Sequence, residues 1–426
     1  MQRHESYKPS GVKWIGDVPA HWDVRPGFTC FDENKDRNKN LTEKTVLSLS
    51  YGRIVVKPDE KMTGLVPESF DTYQLIKPGD IVIRTTDLQN DKTSLRVGLA
   101  RDKGIITSAY LGLRCKPEIN PEYVFRLLES YDALKVFYGM GSGLRQNIDF
   151  WDFKRLPIPT PPRIEQDRIV TFLDQKNAEI DAAIAKKERL IELLHEQKSA
   201  LIKQAVTRGL NPLAQMRESG VDWIGDFPAH WRISSLSHQA VIFAGGTPDR
   251  SVPRYWGGEI PWIKTGEVNF NRISSAEEHI TDAGLRNSAA KIAPAGTLLM
   301  AMYGQGVTRG RVAILDVPAA FNQACVAMKF WHNISTEFAF FYFYGAYSFL
   351  RDSGNESSQM NLSSGAISKF KITIPPMHEQ DEICKHLRNA LEMVNAAERA
   401  QRETVDKLYA MKQSLITDVV TGKIRA

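Results

Sequence analysis

The sequence predicts an α+β protein built as an internal repeat, in which two mixed α/β regions alternate with two long helices. Three observations predict it. "SGVKWIGDVPAHWDV" (Ser10–Val24) returns as "SGVDWIGDFPAHWRI" (Ser219–Ile233), 209 residues later. "TPPRIEQDRIVTFL" (Thr160–Leu173) returns as "IPPMHEQDEICKHL" (Ile374–Leu387) at an offset of 214, and "KSALIKQAVT" (Lys198–Thr207) as "KQSLITDVVT" (Lys412–Thr421) at the same offset. Between these ends the halves have diverged, apart from weak echoes such as "LIKPGDIVI" against "KIAPAGTLLM" and "SAYLGLR" against "QACVAMK". Self-similarity at a fixed period marks a duplicated unit.

Each element has its own reason. "TVLSLSY", "GDIVIRTT" and "AYLGLRC" alternate or run apolar at strand length, and "PEYVFRLLESYDALKVFYGM" has helical spacing. The second half offers "PWIKTG", "GTLLMAMYG" and "GRVAILD" as strands and a helix near Glu337–Leu350. Behind Pro161-Pro162 one apolar seam runs through Leu173, Ile180, Ile184, Ile191, Leu194, Leu201 and Ala205. Behind Pro375-Pro376 another runs through Ile383, Leu387, Leu391, Val394, Val405, Leu408, Leu415 and Val419. No Pro or Gly interrupts either run, and Gly209 and Gly422 suit the stops. A helix over 163–208 is about 65–70 Å long, and one apolar stripe of that length needs a partner, as in a coiled coil. The other half supplies a helix of matching length. The resulting boundaries are 1–24 and 210–233 for the repeat phrases, 25–160 and 234–374 for the variable regions, and 161–209 and 375–426 for the helices.

Composition excludes several classes. With 42% hydrophobic residues the chain can build cores unaided. Cys30, Cys115, Cys325 and Cys384 form no CxxC pair, which suits a reducing compartment rather than a disulfide framework. The opening "MQRHESYKPS" is not patterned as a secretory signal, and no apolar run is long enough for a membrane span, so a cytoplasmic chain without membrane contact is expected. A net charge of +5 favours nucleic acid only weakly, so any such binding must come from local patches.

Catalytic patterns are missing from the sequence. There is no phosphate loop and no Gly-rich dinucleotide fingerprint. "NPEY" (Asn120–Tyr123) reads as a helix opening, not a methyl-transfer motif, and "PDEK" (Pro58–Lys61) as a turn. The nine histidines make no ligand pair at helical spacing, and His21 and His230 read as packing or hydrogen-bonding residues. No metal is expected.

The remaining polar loops carry side chains suited to base edges. In the first variable region these are Arg84, Thr85, Thr86, Gln89, Asn90 and Lys92, with Arg145 and Gln146 in the loop "GSGLRQN". In the second they are Thr247, Arg250, Lys264 and Thr265, joined by Tyr303, Gln305, Thr308, Arg309 and Arg311 of "YGQGVTRGR", where glycines permit close backbone approach. Two like readers on a pseudo-twofold frame can dock on successive stretches of one duplex face, and because they differ, the target should be asymmetric and bipartite.

The paired "SGV.WIGD.PAHW" phrases, the "PP..EQ" helix starts and the "VTG" helix ends resemble the specificity subunit of type I restriction-modification systems over nearly the whole chain. The resemblance implies two target-recognition domains held apart by an antiparallel coiled coil. It implies no catalysis and no cofactor in this chain. It also implies two methyltransferase (modification) subunits using S-adenosylmethionine and two restriction subunits using ATP and Mg, all acting on double-stranded DNA. The alternative is a stand-alone sequence-specific DNA-binding protein, a regulator or an antirestriction decoy. Trp14, Trp22, Trp223 and Trp231 are expected as structural plugs where helix ends meet domains, or else as methyltransferase docking points. By pseudo-symmetry the first phrase should pack on the end of the second helix, which makes the chain circular in layout.

Overall fold

A computed structural model describes residues 2–57, 69–86, 88, 95–140, 147–303, 307–352 and 362–426. The chain divides into two compact units, one of residues 1–188 with 403–426, the other of residues 189–402.

The first unit's variable region is a four-stranded antiparallel sheet in the order Phe31–Glu33, Leu111–Cys115, Ile81–Ile83, Val97–Leu99. The apolar run "IVI" is buried throughout, as expected of a strand covered on both faces. A helix, Pro121–Ala133, follows the sheet. Asn120 caps it, accepting from the Glu122 and Tyr123 backbone N–H groups at 2.8 and 3.4 Å, with proline at the first helical position.

The second unit's sheet runs Ala240–Ala244, Cys325–Phe330, Leu298–Ala301, Val312–Leu315, Asn271–Ile273, with only the last pairing parallel. Its first four strands have the same order and antiparallel sense as the first unit's four. The weak sequence echoes noted above fall on the two middle strands. A second sheet of Glu278–Ile280, Trp256–Ile263 and Ala320–Phe321 stands beside it, and a helix, Thr336–Gly345, capped by Ser335, follows.

Each variable region is closed at its ends by the same device. The strand after the first phrase, Asp23–Pro26, pairs antiparallel with Pro157–Thr160, and Arg232–Ser235 pairs with Lys371–Ile374. Prolines in these ladders are tolerated because each pair is two-stranded and so has free edges.

The long helices are Arg163–Arg208 and Met377–Val420, 46 and 44 residues. Within the first unit, Leu173, Ile180 and Ile184 share one core with Val405, Leu415, Ile416 and Val419, and Lys412 Nζ reaches Asp181 at 2.6 Å. Within the second, Ile202, Ala205 and Val206 share a core with Ile383, Leu387 and Leu391. There Lys198 Nζ donates to Asn395 Oδ1 at 2.9 Å and His195 Nε2 lies 3.4 Å from Glu398. In that unit the numbers rise along one helix as they fall along the other, so these stretches run antiparallel. Seam burial is uneven: Leu173 and Leu387 are fully buried, whereas Ile191 and Leu194 are half-exposed.

Candidate nucleic-acid interface

The frame of the interface is built by the repeated phrases. In the first unit Trp22 is fully buried and donates Nε1–H to Glu165 Oε1 at 3.1 Å, while His21 Nε2 meets Oε2 of the same carboxylate at 2.8 Å. In the second, Trp231 and His230 hold Glu379 at 2.9 and 2.7 Å. The next residue completes the joint. Gln166 donates to the Pro161 carbonyl at 2.9 Å and accepts from the Asn120 backbone N–H at 2.8 Å. Gln380 does the same with Pro375 and Ser335, each at 2.9 Å. Thus the Glu of "PP..EQ" locks the helix start to the phrase, and the Gln locks it to the capping residue of the domain helix. Sequence reading found both motifs and missed that they are halves of one joint.

The helix ends close on the same tryptophans. Gly422 sits in left-handed conformation (φ 77°) against Pro19 and Trp22, and Gly209 (φ 75°) against Trp231 and Pro228. The Arg425 backbone N–H donates to the Gln2 carbonyl at 3.0 Å, and the Tyr7 hydroxyl to the Lys423 carbonyl at 3.1 Å. Trp22, Trp223 and Trp231 are buried, but Trp14 is 40% exposed. The difference is local. Trp223 packs on Tyr342, Phe349 and Phe370, while Trp14 meets only Tyr131 edge-on among the described rings. At the place of Phe370, the first half has Leu156.

On this frame the second unit's loops gather. Arg250 lies over the Trp256 ring at 4.1 Å and the Trp262 ring at 5.1 Å, and donates to Glu278 at 2.7 Å. Lys264 Nζ donates to Glu277 at 2.5 Å and lies 3.4 Å from Glu278. That hydrogen bond to Glu277 raises the Lys264 pKa, and the Arg250 hydrogen bond holds the Glu278 carboxyl below its ordinary value. Thr247 hydrogen-bonds Gln323, and Thr265 accepts from Asn322 Nδ2 at 2.8 Å. So Thr247, Arg250, Lys264 and Thr265 form one polar surface with Asn322, Gln323, Glu277 and Glu278, four residues that sequence reading did not single out. Tyr303 is 37% exposed. Thr308 and Arg311 are half-buried, and Arg311 Nε is a buried donor with no hydrogen-bond partner among the described residues.

Two expectations need correction. Arg309 is only 5% exposed, and its Nη2 donates to the Leu350 carbonyl at 3.3 Å and to that of Arg351. It braces the loop from within, since a buried guanidinium must satisfy its donors internally. Thr85 is also buried. Its hydroxyl faces the Ala109 carbonyl at 3.5 Å, and its own carbonyl accepts from the Ile148 backbone N–H at 3.1 Å.

That bond ties the 84–86 stretch to the chain entering the helix Phe150–Phe153. The organiser there is Arg96, fully buried, donating to the Arg84 and Thr86 carbonyls at 3.2 and 2.8 Å and to the Tyr138 hydroxyl at 3.2 Å. Asp132, whose carboxyl is pushed up by burial, accepts from the Arg96 backbone N–H at 2.7 Å. Arg84 and Thr86 themselves are half-buried. Gln89, Asn90, Lys92, Arg145, Gln146 and Gln305, like "PDEK", lie outside the described residues.

"NPEY" is structural, as expected: Asn120 is a cap, and the buried Tyr123 hydroxyl donates to the Pro159 and Val420 carbonyls at 2.8 and 3.0 Å.

With this geometry in place, residues 228–407 match the family model described as the type I restriction modification DNA specificity domain. The chain is similar to type I restriction-modification specificity subunits. It is 23% identical to the MjaX type I restriction enzyme specificity subunit of Methanocaldococcus jannaschii over 96% of this chain and 95% of that one. It is 24% identical to the EcoR124I/EcoR124II specificity subunit of Escherichia coli over 62% of each. A solved chain described under the complex assembly and conformational transition of the type I R-M system superposes with a TM-score of 0.70, at 16% identity, covering 96% of this chain and 99% of that one. That likeness shows the mixed helix-and-sheet fold. No described helix is long and apolar enough to cross a membrane.

Proposed function

We propose that this chain is a type I specificity subunit that reads an asymmetric, bipartite sequence in double-stranded DNA and carries no catalysis of its own. Each variable region acts as a target-recognition domain for one half-site, and the two long helices act as an antiparallel coiled-coil spacer. The chain directs two methyltransferase subunits, using S-adenosylmethionine, and two restriction subunits, using ATP and Mg, to that site. The observation that carries the reading is the recurrence of one joint, His-Trp on Glu and Gln on a helix cap, beneath two chemically different loop sets. Equal frames with unequal readers suit two unlike half-sites. In the second domain Arg250, Lys264, Thr247 and Thr265, with Tyr303, Thr308 and Arg311, face the DNA. In the first, Arg84 and Thr86 do so with Gln89, Asn90, Lys92, Arg145 and Gln146, and Gln305 belongs to the second set.

The test is co-expression with a cognate methyltransferase, followed by methylation-site mapping. The expected result is one bipartite motif with a fixed spacer. Sequence-specific binding by the chain alone, with no stable methyltransferase complex, would replace this reading by a stand-alone DNA-binding protein. Four residues inserted into each long helix add ~6 Å, nearly two base pairs at ~3.4 Å each. An unchanged spacer in that variant would refute the helices as a ruler.

A further inference from the structure

We propose that His4, His21 and Glu165 form a site for one borderline divalent transition-metal cation, Zn2+ or its analogue Co2+, which links the segment ahead of the first phrase to the phrase itself and to the start of the first long helix.

One donor atom from each of the three lies within 4.8 Å of the others. Ligand atoms around tetrahedral zinc stand roughly 3.3 Å apart, given metal–ligand bonds of about 2.0–2.2 Å. Small side-chain rotations therefore bring the set into range. The ligands are also oriented. Trp22 Nε1 holds Glu165 Oε1 at 3.1 Å, which leaves Oε2 turned to His21, and an outer partner of this kind fixes a carboxylate ligand. The His4 ring stands edge-on to Trp22 at 5.9 Å and to Tyr7 at 6.1 Å, and 5.7 Å from the His21 ring. Neither His4 ring nitrogen has a hydrogen-bond partner among the described residues, and burial lowers the His4 pKa toward the neutral, ligating form.

The three face a cavity of about 610 Å³ that Glu5, Arg168 and Arg425 also line, with room for a water as fourth ligand. Two guanidinium groups beside the site disfavour a hard cation held mainly by charge, such as Mg2+ or Ca2+. They do not preclude a cation held by imidazole coordination.

The second half is a built-in control. His230, Trp231 and Glu379 repeat the joint, but 209 residues after His4 stands Leu213, 91% exposed. A two-ligand joint there should not retain metal, so the chain should bind one ion.

The experiment is equilibrium dialysis of the full chain against Zn2+, with metal counted by mass spectrometry. One Zn2+ per chain is expected for the unmodified protein and for His230→Ala, and almost none for His4→Ala. The His4 ring packs beside the His21–Glu165–Trp22 joint but makes none of its hydrogen bonds, so this variant should keep the fold, which far-UV circular dichroism checks. Co2+ should give the visible absorption of a tetrahedral site in the unmodified chain and lose it in His4→Ala. Zn2+ should raise the unfolding temperature of the unmodified chain and not of His4→Ala. Failure of the unmodified chain to retain Zn2+, or equal retention by His4→Ala, overturns the site.

Discussion

The Trp22 indole N–H donates to Glu165 across 143 positions of sequence, and the pair joins the repeat phrase to the start of a 46-residue helix. Hydrogen bonds to charged groups contribute about 1.5–3 kcal/mol. Trp22→Phe keeps most of the ring but loses the donor, so it should lower unfolding stability by about that amount. Trp231→Phe should do the same at Glu379. Denaturant unfolding of each full-length variant checks this, and a change within error in both would mean that the ring alone makes the joint.

The two stop glycines should differ in sensitivity. Both have positive φ, which costs an L-residue roughly 1–2 kcal/mol. A Cβ on Gly422 would lie 2.3 Å from Pro19 Cδ, whereas one on Gly209 meets Trp231 at 3.0 Å. Gly422→Ala should therefore lower the unfolding midpoint more than Gly209→Ala. The reverse order would contradict the packing of the first phrase on the second helix's end.

Arg309→Ala should lose about 1–3 kcal/mol of stability, because it strands the buried Leu350 carbonyl, while the recognised sequence stays the same. Arg311→Ala should instead weaken one half-site, by ~1–3 kcal/mol if it contacts guanine. Thermal melts paired with methylation mapping separate the two. A half-site change in Arg309→Ala would restore it as a base reader.

Glu277 and Glu278 hold Lys264 and Arg250 in the absence of DNA, so phosphate must compete with carboxylate there. Glu278→Gln should tighten non-specific DNA binding and steepen its salt dependence. Lys264→Ala should reduce the salt slope by about 1 if the ammonium contacts a phosphate. Fluorescence-anisotropy titrations across a salt series read both, and salt slopes unchanged in both variants would place this surface away from DNA.

Glu43 provides a pH signature. The Thr45 backbone N–H, at 3.0 Å, and then Lys103 hold its carboxyl down to about 2, against an ordinary value of 4.5. A folded-state pKa below the unfolded one gives stability that is present above 4.5 and lost as pH falls toward 2. Glu43→Gln should be less stable than the unmodified chain at pH 7, with the gap closing between pH 4.5 and 2. Melting curves across that range test it, and a gap independent of pH would assign the effect to something other than charge.

The sequence by itself determined the repeat, the apolar strands at Leu47–Ser50, Ile81–Ile83, Leu111–Cys115, Trp256–Ile263, Leu298–Ala301 and Val312–Leu315, and the two long helices with their proline starts and glycine stops. These are legible because periodicity, caps and breakers act within a few residues of chain. Only the tertiary structure decided what the polar residues do. Arg309 and Arg311 read alike in "TRGR", yet one braces the Leu350 and Arg351 carbonyls in the helix Tyr347–Asp352 and the other is half-exposed. Arg96, which the sequence does not single out, is fully buried and holds the Arg84 and Thr86 carbonyls. Trp14 and Trp223 hold equivalent places and differ in exposure, because Phe349 and Phe370 cover only the second. A polar side chain's role depends on which acceptors the folded chain brings to it. For His21 and Glu165, 144 residues apart, those acceptors come from the path of the whole unit and not from local pattern.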